Sequence, residues 1–202
     1  MDGNVLGVVV AGGMGQRMGK DKTALRLPGL TKDFITHAAD LLASAGLEVR
    51  INCAHNQKVR ANRAGYPLLP DIRPRGGVLL AIWSILKQAM RPCLVIPCDM
   101  PFLNLDAINE LLDKREQREG DILLTAWRQG HTRLLEPLAA IYEYECLPLL
   151  DKAIAAGAYK ISVAIPPARI LALDYFDSSA RQFFNINEQK DFDEAVNMIA
   201  TR

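Results

Sequence analysis

Short apolar runs that alternate with longer amphipathic segments restrict the fold of this chain more than any other feature of its sequence. The first run, Val5–Ala11, is rich in β-branched residues and leads into glycines, which is typical of a buried parallel strand followed by a loop. The next segment places apolar residues on one helical face from Thr31, the predicted N-cap, to Ala45, with Gly46 as the stop. Strands that alternate with helices build an α/β fold of three layers around a mainly parallel sheet.

The alternation continues to the end of the chain. Further strands are predicted at Leu47–Cys53, Leu68–Leu69, Cys93–Pro97, Ile122–Trp127, Leu138–Tyr142 and Ile170–Leu173, and further helices at Val78–Met90, after an Asn104 cap and after an Asn187 cap. The charged segment Lys114–Glu119, in the helix that Asn104 begins, is expected to face solvent. Ligands of parallel sheets bind beyond the carboxyl ends of the strands. The loops expected to carry the site follow Val10, Cys53, Leu69 and Pro97.

The charge balance limits the partners that this chain can have. Its 202 residues include 24 Lys and Arg against 23 Asp and Glu, for a net charge of +1. Such a chain has no overall field to hold nucleic acid or an anionic membrane, so we expect neither as a partner. Any anion that it binds must meet a local group of cations. The length predicts a single domain over residues 1–202.

The apolar runs and the cysteines bear on the compartment. No apolar run is long enough to span a bilayer, and the first residues carry no Lys or Arg of the kind that begins a secretory signal. The four cysteines have neither zinc-binding spacing nor the density of a disulfide framework, as expected in a reducing environment. These features predict a cytoplasmic protein.

The loop after the first predicted strand, Ala11–Lys22, has the composition of a phosphate-binding loop. Its four glycines let backbone N–H groups approach phosphate oxygens, and its cations, which include Arg17 and Lys22, neutralise phosphate charge. A flexible surface turn would use the same residue types. The loop fails the Walker A pattern, since its Gly-Lys pair is followed by Asp21 rather than Ser or Thr. It also fails the dinucleotide pattern G-x-G-x-x-G, whose third glycine would fall on Met18.

Two aspartates follow predicted strands at the expected edge of the sheet. Asp99 comes shortly after the strand Cys93–Pro97, where a carboxylate can hold Mg²⁺, which prefers one or two carboxylates together with phosphate oxygens. Asp71 lies in a loop rich in proline and glycine after Leu68–Leu69. The alternative for both is a turn or cap residue, which is a common role of Asp at such positions.

Four motifs occur in order along the chain. The first is G-G-x-x-x-R-M-G-x-D-K, formed by Gly12, Gly13, Arg17, Met18, Gly19, Asp21 and Lys22, and the second is P-C-D-M-P at Pro97–Pro101. The third is Glu136-Pro137-Leu138, and the fourth is N-x-N at Asn185 and Asn187. With these motifs the whole chain closely resembles the molybdenum cofactor guanylyltransferases, within the wider family of nucleotidyltransferases that activate sugars and cofactors.

This resemblance implies a Rossmann-like nucleotidyltransferase fold, in which the N-terminal half binds the nucleotide and the C-terminal half binds the acceptor. It implies transfer of GMP from GTP to molybdopterin with Mg²⁺ as cofactor, and transient contact with molybdoenzymes or cofactor-delivery proteins. The implied nucleotide contacts are Val10, Ala11, Gly12, Gly13, Lys22, Asn52, Asp71 and Asp99. The implied catalytic residues are Arg17, Lys22 and Asp99, with Asp99 as the metal ligand, and the implied acceptor contacts are Asn185 and Asn187. Lys160, which follows Gly157-Ala158-Tyr159 in the C-terminal half, is a further candidate acceptor contact. The two asparagines can equally be a turn residue and a helix cap, and Lys160 a solvated lysine.

One segment departs from the family pattern, and three interpretations stay open. Gly77–Ala81 reads G-V-L-L-A where the family usually has G-P-L-A-G, in the segment expected near the nucleotide base. The first interpretation is a guanylyltransferase for the molybdenum cofactor, which the Gly12-Gly13 pair favours because cytidylyl relatives generally resemble A-A-G there. The second is a related enzyme that uses CTP or acts on a sugar phosphate. The third is a non-catalytic nucleotide-binding relative.

Overall fold

The computed structural model describes residues 4–11, 22–73 and 77–200 of the chain. The strands in these segments are β1 (Leu6–Val10), β2 (Glu48–Cys53), β3 (Leu68–Pro70), β4 (Cys93–Pro97), β5 (Leu124–Gln129), β6 (Leu135–Tyr142) and β7 (Ile170–Tyr175). The helices are α1 (Phe34–Ser44), α2 (Lys58–Ala61), α3 (Gly77–Ala89), α4 (Leu105–Glu116), α5 (Leu147–Ala155), α6 (Ile161–Ala164) and α7 (Gln189–Ala200). Short 3₁₀ turns lie at Lys22–Ala24, His55–Gln57, Asn62–Ala64, Tyr144–Cys146, Pro167–Arg169 and Ala180–Phe183.

The strands form one sheet in the order β3-β2-β1-β4-β6-β5-β7. β1 pairs in parallel with β2 and β4, β2 pairs in parallel with β3, and β5 pairs in parallel with β7. β6 runs antiparallel to both of its neighbours, β4 and β5. The mainly parallel sheet predicted from the sequence is therefore confirmed. The carboxyl ends of the parallel strands, together with the amino end of β6, form one edge of the sheet, which we call the carboxyl edge.

Helices cover both faces of the sheet. All five residues of β1 are buried, as expected for a parallel strand between two helical layers. Val9 packs on the face of α1 and α4, and Val8 packs on the face of α3 and α5, as the two-residue period of a strand requires. The first face buries Ile35, Leu42, Ile108 and Leu111, and the second buries Leu79, Ile82, Leu86 and Leu150. This arrangement confirms the predicted three-layer α/β fold.

A third apolar cluster joins the C-terminal helix to the segment that precedes α1. Its buried members are Leu27, Phe34, Ile186 and Ala195. Phe34 is the first residue of α1, Ala195 lies in α7, and Ile186 comes shortly before α7. The C-terminal segment therefore returns to pack against the N-terminal half of the chain.

Of the three predicted N-caps, those of α4 and α1 have different outcomes. Asn104 caps α4, since its side-chain oxygen accepts a hydrogen bond from the N–H three residues later at 3.0 Å, and this prediction is confirmed. α1 is capped by Asp33 rather than Thr31, because the Asp33 carboxylate accepts a hydrogen bond from the Thr36 N–H at 3.1 Å. Phe34 is buried in the third cluster, so tertiary packing fixes where the first turn of α1 begins.

The prediction that Lys114–Glu119 faces solvent is wrong at Arg115. Its guanidinium is buried, with Nε donating to Glu143 Oε1 at 2.7 Å and Nη2 donating to Oε2 at 2.9 Å. Arg118 lies 3.6 Å from the same carboxylate. A buried charge requires a partner of this kind. Glu143 lies 28 residues further along the chain, so the local pattern gave no sign of it.

The described residues include no helix that is long and apolar enough to cross a membrane. Cys53, Cys93, Cys98 and Cys146 are buried and have free thiols. Burial raises the pKa of the Cys93 and Cys146 thiols to about 12. Both thiols are therefore protonated at neutral pH and pack as small apolar groups.

Candidate functional site

The carboxyl edge brings together the strand ends that the sequence indicated. In the sheet, Val10 of β1 stands opposite Asn52 of β2 on one side and the last residue of β4 on the other. The Ala11 N–H donates to the Asn52 carbonyl oxygen at 2.9 Å, and the Cys98 N–H donates to the Val10 carbonyl oxygen at 3.2 Å. The chain that leaves β1 therefore starts between Asn52 and the turn that carries Asp99.

The amide of Asn52 is directed toward Asp71. Asn52 is fully buried, and its Nδ2 donates to Asp71 Oδ1 and to the Leu69 carbonyl oxygen, both at 2.9 Å. These two acceptors assign the nitrogen, because the opposite orientation would place oxygen against oxygen. Asn52 Oδ1 is buried and has no hydrogen-bond partner among the described residues. A buried acceptor without a protein partner is uncommon, and water or a bound ligand is its usual partner.

The backbone of Asp71 is fixed as well as its side chain. The Asp71 N–H donates to the Cys53 carbonyl oxygen at 2.9 Å, and His55 Nδ1 lies 3.2 Å from the Asp71 carbonyl oxygen. Asp71 follows β3, which has three residues and lies at the edge of the sheet. These contacts direct its carboxylate along the carboxyl edge next to Asn52.

Helix α3 binds the backbone on both sides of Asp71. Ser84 Oγ accepts a hydrogen bond from the Ile72 N–H at 3.1 Å, and Gln88 Nε2 donates to the Pro70 carbonyl oxygen at 2.9 Å. Neither residue was predicted from the sequence. The available signal is a pair of polar residues four positions apart in a helix that is otherwise mostly apolar.

A cation–π contact extends this association of α3 with the loop. The Arg73 guanidinium lies 5.0 Å from the centre of the Trp83 ring, within the usual range for such contacts. Trp83 is held in turn by a hydrogen bond from Nε1 to Asp151 Oδ1 at 2.7 Å. The loop residues from Pro70 to Arg73 therefore follow the surface of α3.

Asp99 lies in the turn after β4 and is bonded to the C-terminal N-x-N motif. The Ile186 N–H donates to the Asp99 carbonyl oxygen at 2.9 Å. Ile186 is the middle residue of the motif, so Asn185 and Asn187 lie on either side of this bond. Ile186 is fully buried in the third cluster, which anchors the motif at the carboxyl edge. The structure thus brings Asp99 together with two of the three candidate acceptor residues.

The single carboxylate of Asp99 fits one of the ways in which proteins bind magnesium. Among the residues that the structure describes, no group of three or more His, Cys, Asp and Glu side chains is placed to hold a metal ion. Mg²⁺ does not need such a group, because it is usually held by one or two carboxylates together with waters and substrate phosphates. Asp99 is half-buried at the end of a strand. Its carboxylate therefore fits an ion shared with a bound polyphosphate.

Part of the predicted site lies outside the described residues. Gly12, Gly13 and Arg17 are in this part of the chain. Lys22 begins the 3₁₀ turn Lys22–Ala24, and its side chain is also outside the described part. The roles of these four residues stay predictions.

Lys160 lies on the other face of the sheet from the N-x-N motif. It directly precedes α6, whose Ile161 packs in the cluster of α3 and α5, whereas Ile186 packs with α1 and α7. Lys160 is exposed and lines a cavity of about 500 Å³. Apolar walls of this cavity come from the amino end of β6, the first turn of α3 and the segment around α6, and they include Val78, Leu135, Tyr159 and Ile161.

Glu136 and Tyr175 form a further polar contact at the carboxyl edge. The Tyr175 hydroxyl donates to Glu136 Oε1 at 2.6 Å, and burial raises the pKa of the Glu136 carboxyl above its ordinary value. The register of β5 and β6 shifts here, so that Trp127 stands against residues 136–139. Pro137 is accommodated by this bulge, because it has no N–H to donate to a regular ladder.

Solved structures share this architecture. The molybdopterin-guanine dinucleotide biosynthesis protein A from Archaeoglobus fulgidus superposes with a TM-score of 0.75, covering 97% of this chain and 99% of that one at 24% identity. A nucleotidyl transferase from Methanothermobacter superposes with a TM-score of 0.73, covering 98% and 99% at 16% identity. These likenesses show that the chain has an α/β nucleotidyltransferase fold.

The sequence relatives identify the family. Residues 7–167 match the MobA-like NTP transferase domain, and the chain belongs to this family. The probable molybdenum cofactor guanylyltransferase of Mycobacterium tuberculosis H37Rv is 30% identical over 185 residues, which cover 90% of this chain and 88% of the relative. The protein of the same name from Pelotomaculum thermopropionicum is 29% identical over 196 residues, which cover 94% and 90%. The predicted resemblance is therefore confirmed.

Proposed function

We propose that this chain transfers GMP from GTP to molybdopterin and releases pyrophosphate. The relatives from Mycobacterium tuberculosis and Pelotomaculum thermopropionicum carry the name of this activity. The structural observation that carries the proposal is the hydrogen bond from the Ile186 N–H to the Asp99 carbonyl oxygen. This bond joins the turn that would hold the nucleotide phosphates to the motif that would hold the acceptor. The two substrates would therefore meet at the carboxyl edge.

The nucleotide would bind along the ends of β1, β2, β3 and β4. Val10 and Ala11 begin the loop there, and Asn52 and Asp71 present side chains that are bonded to each other. The buried Asn52 Oδ1 would accept a hydrogen bond from the nucleotide, which would satisfy it. The N–H groups of Gly12 and Gly13 would bind phosphate oxygens, and Arg17 and Lys22 would supply positive charge.

The proposed reaction is the displacement of pyrophosphate at phosphorus. An oxygen of the terminal phosphate of molybdopterin attacks the α-phosphorus of GTP and forms a new P–O bond. The bond from the α-phosphorus to the bridging oxygen breaks, and pyrophosphate leaves with the electron pair. The attacking phosphate is already anionic near pH 7, so the step needs no general base. The chain contributes alignment of two polyanions and neutralisation of their charge.

Asp99 would hold Mg²⁺ together with oxygens of the nucleotide phosphates. When bound, this ion would neutralise part of the charge on the phosphates and on the departing pyrophosphate. The contribution of Asp99 itself would be its carboxylate, in the turn after β4 whose backbone is bonded to the N-x-N motif. Arg17 and Lys22 would supply the remaining positive charge.

The acceptor would bind in the C-terminal half, through Asn185, Asn187 and Lys160. Residues 1–202 would act as one domain, with the nucleotide in the N-terminal half. GTP and molybdopterin would be the small-molecule substrates, and molybdoenzymes or cofactor-delivery proteins would contact the chain transiently. We also propose that the protein acts in the cytoplasm.

The substitution Asp99→Asn tests the proposal, because it keeps the size of the side chain and removes its charge. We expect the rate of GMP transfer to fall by about 10²–10³-fold, as for other single electrostatic stabilisers, and to recover in part at raised Mg²⁺. Single-turnover measurement across a Mg²⁺ titration gives this rate. Asp113→Asn, an exposed aspartate on α4, is the matched control. Wild-type kinetics in the Asp99→Asn protein would remove Asp99 from the site.

Nucleotide preference separates the proposed enzyme from its alternatives. We expect GTP with Mg²⁺ to raise the melting temperature more than CTP, ATP or UTP, since a ligand stabilises the state that binds it. Pyrophosphate release with each nucleotide and molybdopterin then shows whether transfer occurs. Equal shifts with all four nucleotides would contradict guanine selectivity, and binding without pyrophosphate release would identify a non-catalytic relative.

A further inference from the structure

Helix α3 carries a buried hydroxyl, which the packing of the helix on the sheet does not explain. Ser84 is fully buried among apolar neighbours of the helix such as Ile82 and Ile85. A buried hydroxyl costs free energy unless it is hydrogen-bonded, and a serine in a helix often bonds to a carbonyl one turn earlier. Ser84 Oγ instead accepts a hydrogen bond from the Ile72 N–H at 3.1 Å, in the loop after β3.

Gln88, one turn further along α3, makes the complementary contact. Its Nε2 donates to the Pro70 carbonyl oxygen at 2.9 Å and to the Ser84 carbonyl oxygen at 3.0 Å. Ser84 and Gln88 lie four residues apart, on the same face of the helix. Pro70 and Ile72 are the residues immediately before and after Asp71. The helix therefore bonds the backbone on both sides of Asp71, whose carboxylate accepts a hydrogen bond from Asn52.

The loop needs this support because its own strand constrains it weakly. β3 has three residues and lies at the edge of the sheet, so it is bonded to a neighbouring strand on one side alone. β2 fixes the inner side through the hydrogen bond from the Asp71 N–H to the Cys53 carbonyl oxygen. Ser84 and Gln88 fix the side that no strand covers. Together these contacts restrict the backbone dihedral angles that direct the Asp71 carboxylate.

We infer that Ser84 and Gln88 are positioning residues for nucleotide binding, which hold Asp71 in the orientation that meets the nucleotide. The inference rests on the proposed function, in which Asp71 contacts the nucleotide. Neither side chain needs to touch the substrate. A purely structural role would change stability alone, whereas a positioning role changes nucleotide affinity and acts through Asp71.

The test compares Ser84→Ala and Gln88→Leu with the wild-type protein. Each variant should bind GTP about 3- to 10-fold more weakly, which is the effect of losing one ordinary hydrogen bond. The kcat at saturating GTP and the KM for molybdopterin should stay unchanged. Ser84→Thr keeps the acceptor oxygen and should restore the affinity. Ile85→Val, which trims an apolar side chain of the same helix, controls for lost packing.

A double-substitution cycle with Asp71→Ala shows whether the effect passes through Asp71. In the Asp71→Ala protein, adding Ser84→Ala should cause no further loss of GTP affinity, since coupled residues are not additive. Normal GTP affinity in Ser84→Ala and Gln88→Leu, beside weakened binding in Asp71→Ala, would refute the inference and leave the proposed function intact. A wild-type protein that binds none of GTP, CTP, ATP and UTP would refute the proposed function and the inference with it.

Discussion

Asn52 and Asp71, nineteen residues apart in the sequence, are joined by a hydrogen bond of 2.9 Å from Asn52 Nδ2 to Asp71 Oδ1. The bond forms because β2 and β3 are parallel neighbours, with Asn52 opposite Leu69 in their register. The carboxylate is thereby oriented before any ligand binds. A site that is already ordered avoids the free-energy cost of ordering side chains on binding, so this pair would favour affinity for the proposed nucleotide.

Replacing Asn52 with Leu should weaken nucleotide binding, because it removes the amide that orients Asp71 and keeps the size of the side chain. Hydrogen bonds to charged groups contribute about 1.5–3 kcal/mol, so a loss of roughly 10- to 100-fold in GTP affinity is expected. Titration calorimetry measures this affinity. Asn109→Leu, on the exposed side of α4, controls for the change of residue type. Unchanged affinity in a folded Asn52→Leu protein would contradict the role of the pair.

Breaking the buried ion pair of Arg115 and Glu143 should lower the stability of the protein and leave nucleotide binding unchanged. Glu143→Leu leaves the buried guanidinium without its carboxylate, and loss of one partner of such a pair costs about 3–5 kcal/mol of unfolding free energy. Urea unfolding measures this loss. GTP affinity should stay unchanged, because Glu143 follows the last residue of β6, at the end of the sheet opposite to the carboxyl edge where Asp71 lies.

The double substitution Arg115→Met with Glu143→Leu is the matched comparison for this pair. It removes both charges and should be more stable than Glu143→Leu alone, since two apolar side chains of similar size need no partner. Equal stability of the single and double variants would show either that water replaces the carboxylate as the partner of the Arg115 guanidinium or that Glu143 contributes by packing alone.

Glu136 predicts a dependence of stability on pH. Burial raises the pKa of its carboxyl above the ordinary value of 4.5, and the hydrogen bond from Tyr175 offsets this in part. The folded state therefore holds this proton more tightly than the unfolded state does. The contribution of Glu136 to the unfolding free energy falls as pH rises from below 4.5 through the raised pKa, and it is constant above.

Glu136→Gln isolates this contribution, because glutamine does not titrate and its oxygen can still accept from Tyr175. The unfolding free energy of the variant minus that of the wild type should increase across this pH range. Urea unfolding of both proteins between roughly pH 4 and pH 8 gives the difference. A difference that does not vary with pH would show that the folded and unfolded chains bind this proton equally.

The parts of the fold that could be predicted are those set by local sequence. The strand Cys93–Pro97 has the predicted bounds, and Asn104 caps α4, because apolar runs and capping side chains act within a few residues. β6 begins at Leu135 rather than Leu138, since the bulge accommodates Pro137 within the strand. The burial of Arg115 depends on a distant partner, so its own segment could not predict it.

In the candidate site, too, some features follow from local sequence and others depend on residues that are distant in the chain. The convergence of Asn52 and Asp71 at one edge follows from the rule that parallel strands end together, and the structure has them in contact. The bonds from Ser84 and Gln88 depend on how α3 lies against the loop after β3, which no local pattern specifies. The N-x-N motif was found by resemblance, and its bond to Asp99 follows from the packing of Ile186 in the third cluster.

Two arginines beside Lys160 are neutralised in part. Arg128 Nε donates to Asp174 Oδ1 at 2.6 Å, and Arg133 Nη1 donates to Asp174 Oδ2 at 2.9 Å. Both arginines line the cavity that Lys160 also lines. Lys160 has no ion-pair partner within the described ranges 4–11, 22–73 and 77–200, so its ammonium is free to engage an anionic ligand there.

Lys160→Ala should therefore raise the KM for molybdopterin and leave GTP affinity unchanged. An exposed, singly charged contact contributes about 1 kcal/mol or less, so an increase of roughly 2- to 5-fold is expected, and it should diminish at high salt. Steady-state transfer with varied molybdopterin at saturating GTP gives the KM. Lys160→Arg keeps the charge and should retain most of the affinity, while Lys152→Ala, an exposed lysine on α5, controls for loss of net charge. A wild-type KM for molybdopterin in Lys160→Ala would leave Lys160 as a solvated lysine and confine the acceptor to the face of the N-x-N motif.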